Sequence, residues 1–140
     1  MKQHITPVII GIIKQSGKYL LTKRCEKDTS SEFHDLWHLP GGGLKFGEKP
    51  DETIVREMKE ELGLSVKVKR MLSHVFSRVR DDKWQGLLMC YVLTLVDPDE
   101  VIHLNREASE FGWFTQDEIL QLNTFDLTRE ILEYEMGNIR

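Results

Sequence analysis

"GGLKFGEKPDETIVREMKEELGL", residues 42–64, is the stretch on which the rest of the chain turns. Its second half has the pattern of a helix. Pro50 suits a first-turn position, where its missing N–H costs nothing, and Asp51 and Glu52 favour the positive end of the helix dipole. Ile54, Val55, Met58 and Leu62 recur at helical spacing and form an apolar stripe. Gly63 is the expected stop, because glycine readily takes the left-handed conformation that ends a helix. Glu57, Glu60 and Glu61 fall off the apolar stripe. Residues three and four apart share a helix face, and each like-charge pair costs roughly 0.2–0.5 kcal/mol on an exposed helix. The negative end of the dipole adds to that penalty in the last turn. Either the face is solvated and the cost is tolerated, or something positive binds there.

The loop upstream gives the second choice more weight. "LPGGGLKFGE", residues 39–48, closes back onto the helix. Its glycines let the backbone approach a ligand closely. Glu48 ends the loop, and an ion pair from Arg56 to Glu48 would pin loop to helix, a task suited to the rigid planar fork of arginine. The remaining acids then have a use. Mg²⁺ takes oxygen ligands, commonly one or two carboxylates together with substrate phosphates and water. Glu57, Glu60 and Glu61 with a glycine carbonyl make half of such a shell, and a phosphate chain would complete it.

The chain has 140 residues, 40% of them apolar and 30% charged, as expected of one soluble domain over residues 1–140. A net charge of −4 argues against binding a nucleic-acid polymer. It leaves room for a small anionic ligand if metal ions bring the positive charge. Cys25 and Cys90 suggest neither a disulfide framework nor a zinc site. "ITPVIIGII", residues 5–13, is too short to span a membrane and reads as a buried strand. A cytoplasmic location with no membrane partner is the simplest expectation.

Residues 5–14 and 18–24 predict a hairpin across the turn "QSGK", and residues 25–35 a polar loop. Residues 36–50 predict a structured loop without regular elements, and the helix follows. Strands are expected over 65–79 and 86–96, joined by "RDDKWQG", then a short strand at 110–114 and helices over 115–122 and 127–136. Strands and helices interleave without strict βαβ order, which suits a mixed sheet covered by helices. Lys23 and Arg24 end a strand where they could touch phosphate. Trp37 and His38, with Phe33 and His34 nearby, could contact a base or phosphate or simply pack at the mouth of the loop. His74, Phe76 and Arg78 alternate on one expected strand, so one of its faces could line a pocket. Trp84 falls in a hairpin loop, and Met71, Met89 and Met136 read as core.

Residues 42–64 match the Nudix box at every defining position: Gly42, Glu48, Arg56, Glu57, apolar Met58, Glu60, Glu61, Gly63 and apolar Leu64. The chain thus resembles the Nudix hydrolases, and in its compactness the MutT-like members. The resemblance implies an α/β/α sandwich around a mixed sheet, with the box as a loop–helix–loop. It implies Mg²⁺-dependent hydrolysis, with Mn²⁺ as a substitute, of a nucleoside diphosphate linked to another group. Glu57, Glu60, Glu61 and the carbonyl of Gly41 carry over as metal ligands, and Glu48 and Arg56 as the structural bridge. Glu57 and Glu60 are also candidates for work near the nucleophilic water. A later acid serves as an extra ligand or general base, and Glu110, three residues before Trp113, is preferred here over Glu107. Lys23, Arg24, Trp37 and His38 are the substrate-binding candidates.

Substrate choice lies outside the box. Val79 stands where ADP-ribose pyrophosphatases of the family carry a proline, and Asp81 and Asp82 stand near where diadenosine polyphosphate hydrolases carry a tyrosine. The leading expectation is a (deoxy)nucleoside triphosphate cleaved to monophosphate and pyrophosphate. The alternatives are a nucleotide-sugar or other diphosphate-X hydrolase, and a nucleotide-binding module without turnover. Dimers are common in the family, so the resemblance allows a homodimer.

Overall fold

The computed structural model describes residues 2–125 and 127–137. In chain order the elements are β1 (His4–Gln15), β2 (Lys18–Arg24), β3 (Trp37–His38), β4 (Gly41–Gly43), α1 (Pro50–Leu62), β5 (Val66–Met71), β6 (Phe76–Arg80), β7 (Trp84–Leu95), β8 (Ala108–Phe114), α2 (Gln116–Ile119) and α3 (Thr128–Glu135). The strands form a mixed sheet. β1 runs parallel to β7, with Ile9 opposite Met89 and Ile10 opposite Cys90. β4 pairs antiparallel with β1, and β5 and β6 pair antiparallel with different halves of β7. β2 carries β3 on one side and β8 on the other, both antiparallel.

Alternation along β1 divides the core between two faces, because successive strand side chains point to opposite sides. Ile9 and Ile13 pack with Ile54, Met58 and Leu62 of α1, together with Leu20, Tyr91 and Leu93. Ile10 and Ile12 pack with Tyr19, Leu21, Cys90, Ile119 of α2, and Ile131 and Leu132 of α3. Helices therefore cover both faces of the sheet, an α/β/α sandwich. Burying an aliphatic side chain contributes about 1.5–3 kcal/mol. Ile54, Met58 and Leu62 are all fully buried. Their burial outweighs the repulsion among the helix's glutamates several-fold, so α1 forms despite its charge pattern. Gly63 stops it with φ +70°.

The structure departs from sequence expectation in several places. The strand expected over 65–79 is two strands. β5 shifts register between Val68 and Arg70, and Leu72 then turns inward, its N–H donating to the Cys90 carbonyl at 2.8 Å. Leu72 takes the buried position, which leaves Met71 41% exposed rather than in the core. The loop expected over 36–50 holds β3 and β4, because Gly41–Gly43 find backbone partners on β1. Trp84 is not in a hairpin loop. It opens β7, and its indole N–H donates to Thr6 Oγ1 at 2.9 Å. The turn before it instead uses Asp81 and Asp82, both with positive φ. No helix among the described residues is long and apolar enough to cross a membrane.

Candidate active site

Three carboxylates converge beside β4. Ligand oxygens of Glu57, Glu61 and Glu107 lie within 4.8 Å of one another. Glu57 and Glu61 stand one turn apart on α1. Glu107 arrives from the segment before β8, which is stitched to the end of the helix. The His103 N–H donates to the Leu62 carbonyl at 2.8 Å, and the Asn105 N–H to the Glu61 carbonyl at 3.2 Å. These bonds satisfy carbonyls that the last helical turn leaves unpaired. The other side of the segment is held to β2, where the Cys25 N–H donates to the Glu107 carbonyl at 3.0 Å.

Glu61 is the unusual member. It is 1% exposed, although the apolar stripe of α1 excludes it. Its Oε2 is buried with no hydrogen-bond partner among the described residues. Burial, reinforced by the charges of Glu107 and Glu57, pushes its carboxyl up to about 8. The Gly41 N–H and the nearby Arg24 charge pull the other way. Glu57 is raised too, mainly by burial, with Arg56 opposing. A buried, unpartnered carboxylate oxygen flanked by two more carboxylates is costly unless a cation completes it. The backbone makes room for the cluster. A Cβ on Gly42 would lie 2.4 Å from the Glu57 carboxyl carbon, so a larger residue there would displace that carboxylate. The all-oxygen, multiply charged donor set suits a hard divalent cation such as Mg²⁺.

Arg56 organises the loop. Its Nε donates to Glu48 Oε2 at 2.6 Å and its Nη2 to Glu48 Oε1 at 3.0 Å, a two-pronged pair. Nη1 donates to Glu57 at 2.9 Å and to Glu60 at 3.0 Å, and Nη2 also reaches the Gly43 carbonyl at 3.2 Å. Hydrogen bonds from Arg56 hold the Glu48 carboxyl down at about 2. Thr53 and the Lys45 N–H donate to the same carboxylate.

Several sequence-derived candidates sit elsewhere than expected. Glu110 is not at the cluster. It lies opposite Lys23 in the β2–β8 ladder, 3.7 Å from its ammonium, with a side chain 59% exposed. A register shift after Lys23 pairs Arg24 with Ala108. Glu107 then stands just outside the strand, where it reaches the helix. Glu60 turns to Arg56, outside the three-carboxylate cluster, with its side chain 51% exposed. Trp37 packs edge-on against Phe114, and Lys23 lies over Trp37. Neither lines the main cavity.

That cavity, about 240 Å³, is lined by Gly41 and Gly42, by Arg24, His38, Arg78 and Arg80, and by Trp84, Phe125 and aliphatic side chains. It meets the acidic cluster at β4, where Gly41 donates to Glu61 and Gly42 abuts the Glu57 carboxylate. His38 forms part of the wall with its imidazole held neutral. Burial, then the charge of Arg24, pushes it down to about 3, and Nε2 lies 3.3 Å from Thr22 Oγ1. The sequence reading included Arg24, His38 and Arg78 but missed Arg80 and Phe125. The signal for Arg80 was present in "FSRVR", where Phe76, Arg78 and Arg80 alternate.

A NUDIX domain family model matches residues 2–134, and the chain belongs to that family of hydrolases. The ADP-ribose pyrophosphatase of Methanocaldococcus jannaschii is 31% identical over 131 residues, covering 94% of this chain and 73% of that protein. The nucleoside triphosphatase NudI of Escherichia coli is 26% identical over 132 residues, covering 89% of this chain and 92% of that protein. Among solved structures, a NUDIX hydrolase from Nitrosomonas europaea superposes with a TM-score of 0.80 at 22% identity, covering 98% and 92% of the two chains. A MutT protein from Methanosarcina mazei superposes at 0.78 and 22% identity, covering 100% and 99%.

Proposed function

We propose that the chain hydrolyses a nucleoside triphosphate to the monophosphate and pyrophosphate, with Mg²⁺ or Mn²⁺ as cofactor. The observation that carries this is the Glu57–Glu61–Glu107 cluster, set against the same Gly41–Gly42 backbone that borders a cationic, aromatic-lined cavity. Glu57, Glu61 and Glu107 are the residues that would hold the metal, with the Gly41 carbonyl as a further oxygen donor. Bound Mg²⁺ supplies neutralisation of phosphate charge and a water that deprotonates near neutral pH. Arg24 lies close enough to lower the Glu61 pKa and also lines the cavity, so it is placed to bind phosphate between the two. Glu60 keeps access to solvent and is assigned to accept a proton from the attacking water. Glu48 and Arg56 hold the loop so that Glu57 stays in place. No protein nucleophile is required, since transfer at phosphorus depends on positioning and charge stabilisation.

The likeness to NudI, which extends over 92% of that protein, supports the triphosphate reading. The higher identity to the ADP-ribose pyrophosphatase favours a second reading, hydrolysis of a nucleoside diphosphate joined to a sugar or similar group. A substrate panel in Mg²⁺ with separate detection of phosphate and pyrophosphate separates them. Pyrophosphate from triphosphates supports the first. Turnover of ADP-ribose or nucleotide sugars alone supports the second. Nucleotide binding without any product refutes both.

A further inference from the structure

Arg24 leaves β2 at an irregularity. The register between β2 and β8 shifts between Lys23 and Arg24, and a shift of this kind re-aims the side chain that follows it. Lys23 pairs with the exposed Glu110. Arg24 instead lines the cavity, and its charge acts on both His38 and Glu61. Its backbone is held on both sides. The N–H donates to the Leu36 carbonyl at 2.9 Å, and the carbonyl accepts from the Asp35 N–H at 3.0 Å. The guanidinium lies over Phe125, 5.0 Å from the ring centre. That ring is itself fixed, 5.3 Å from the ring of Phe33 and 4.7 Å from the Arg80 guanidinium, which also lies 4.5 Å from Phe33 and 4.8 Å from Trp84. A ring face attracts a guanidinium without fixing how it turns in its own plane. A contact at its edge is needed to stop that rotation.

Glu26 makes that contact. Its Oε1 accepts from Arg24 Nη2 at 3.3 Å. Glu26 is anchored in turn through its own N–H, which donates to His34 Nδ1 at 3.0 Å. Between the two residues, the Cys25 N–H donates to the Glu107 carbonyl at 3.0 Å. Residues 24–26 are therefore tied by their backbone to the acidic cluster. An arginine left unheld must be ordered when the ligand arrives, at a cost in affinity. The Nε of Arg24 is buried, yet the side chain keeps 31% of its surface exposed. A guanidinium has five donors, so the one given to Glu26 does not exhaust it. We propose that Glu26 is a positioning residue for phosphate binding: it sets the rotation of the Arg24 guanidinium so that Arg24 meets the phosphate chain of the substrate without rearrangement. This rests on the reading of the chain as a nucleotide hydrolase, and it holds for either substrate class, because both carry a diphosphate.

The test is a double-mutant cycle on KM and kcat of the full chain in Mg²⁺, with whichever nucleotide it turns over best. Glu26→Ala should raise KM about tenfold, as a binding group loses its orientation, and leave kcat within about twofold. Glu26→Gln keeps the shape and an acceptor for Nη2, and should stay within about threefold of wild type. In an Arg24→Ala background, Glu26→Ala should change KM by less than about twofold, because the two residues act as a unit. The same factor in both backgrounds would overturn the proposal. So would a KM that falls in Glu26→Ala, since Glu26 would then be competing with phosphate for Arg24. If no nucleotide is hydrolysed, the hydrolase reading fails by itself, and the cycle is run on calorimetric binding of inorganic pyrophosphate in Mg²⁺. About tenfold weaker binding in Glu26→Ala, with no further loss on top of Arg24→Ala, supports the assignment. Wild-type affinity in Glu26→Ala refutes it, as does a wild type that binds no pyrophosphate.

Discussion

Replacing Glu61 by glutamine should stabilise the metal-free protein while destroying its activity. Glu61 sits at about 8 in the fold against an ordinary 4.5. A group raised in this way contributes its full stability below its unfolded pKa and loses it as the pH climbs through its folded one. Metal-free wild type should therefore weaken steadily from about pH 4.5 to about pH 8. At roughly 1.4 kcal/mol per pH unit, the loss by pH 7 is about 3 kcal/mol. Glutamine has the same shape, stays neutral, and places its amide N–H groups towards the acceptors Glu57 and Glu107. In chelator at pH 7, Glu61→Gln should gain about 2–3 kcal/mol, or roughly 6–12 °C in Tm for a chain of this size. The gain should vanish by pH 4.5. Millimolar Mg²⁺ should close that gap by stabilising the wild type alone, since a ligand at a hundred times its Kd adds about 2.7 kcal/mol. Thermal melts across pH, with and without metal, measure all of this. A Glu61→Gln protein less stable than wild type in chelator at pH 7 would refute the reasoning, as would a gain that persists at pH 4.5.

Four other substitutions probe the surrounding parts. Glu107→Gln should lower kcat by a factor of 100 or more if this carboxylate serves the metal, on the scale of losing a transition-state contact. Glu110→Gln should stay within a few-fold of wild type, and the reverse pattern in steady-state kinetics would restore the assignment made from sequence. Gly42→Ala should cost at least tenfold in kcat with little change in circular dichroism, because the new methyl group displaces the Glu57 carboxylate; unaltered kinetics would show that Glu57 has room to spare. Arg56→Ala should lower both Tm and rate. The stability that Arg56 confers through Glu48 should be present above about pH 4.5 and lost as the pH falls towards about 2, so a Tm difference that is flat over this range would count against the bridge.

The helix α1, its glycine stop and the Glu48–Arg56 contact were legible because each is local. A periodic stripe, a left-handed cap and a two-pronged ion pair across a short loop can be read within a few turns of chain. The burial of Glu61 was not legible. Helical periodicity reports only which face meets the core on one side, and Glu61 is enclosed from the other side by β4 and residues 103–107. Glu107 was passed over for Glu110 because the choice depends on a register shift between β2 and β8, and an alternating pattern does not reveal where a strand slips by one residue. The ring cluster around Arg80 joins positions 33, 80, 84 and 125, contacts that only the completed sheet brings about. Trp84 was placed in a loop because polar residues precede it. The tight turn at Asp81 and Asp82 absorbs those residues and frees Trp84 to begin β7.

Anomalous scattering from crystals soaked in Mn²⁺ with a non-hydrolysable triphosphate tests the central claim most directly. The account predicts a manganese peak about 2.0–2.3 Å from carboxylate oxygens of Glu61 and at least one of Glu57 and Glu107. A map without manganese at these carboxylates, from protein that still hydrolyses nucleotide in excess chelator, would contradict it.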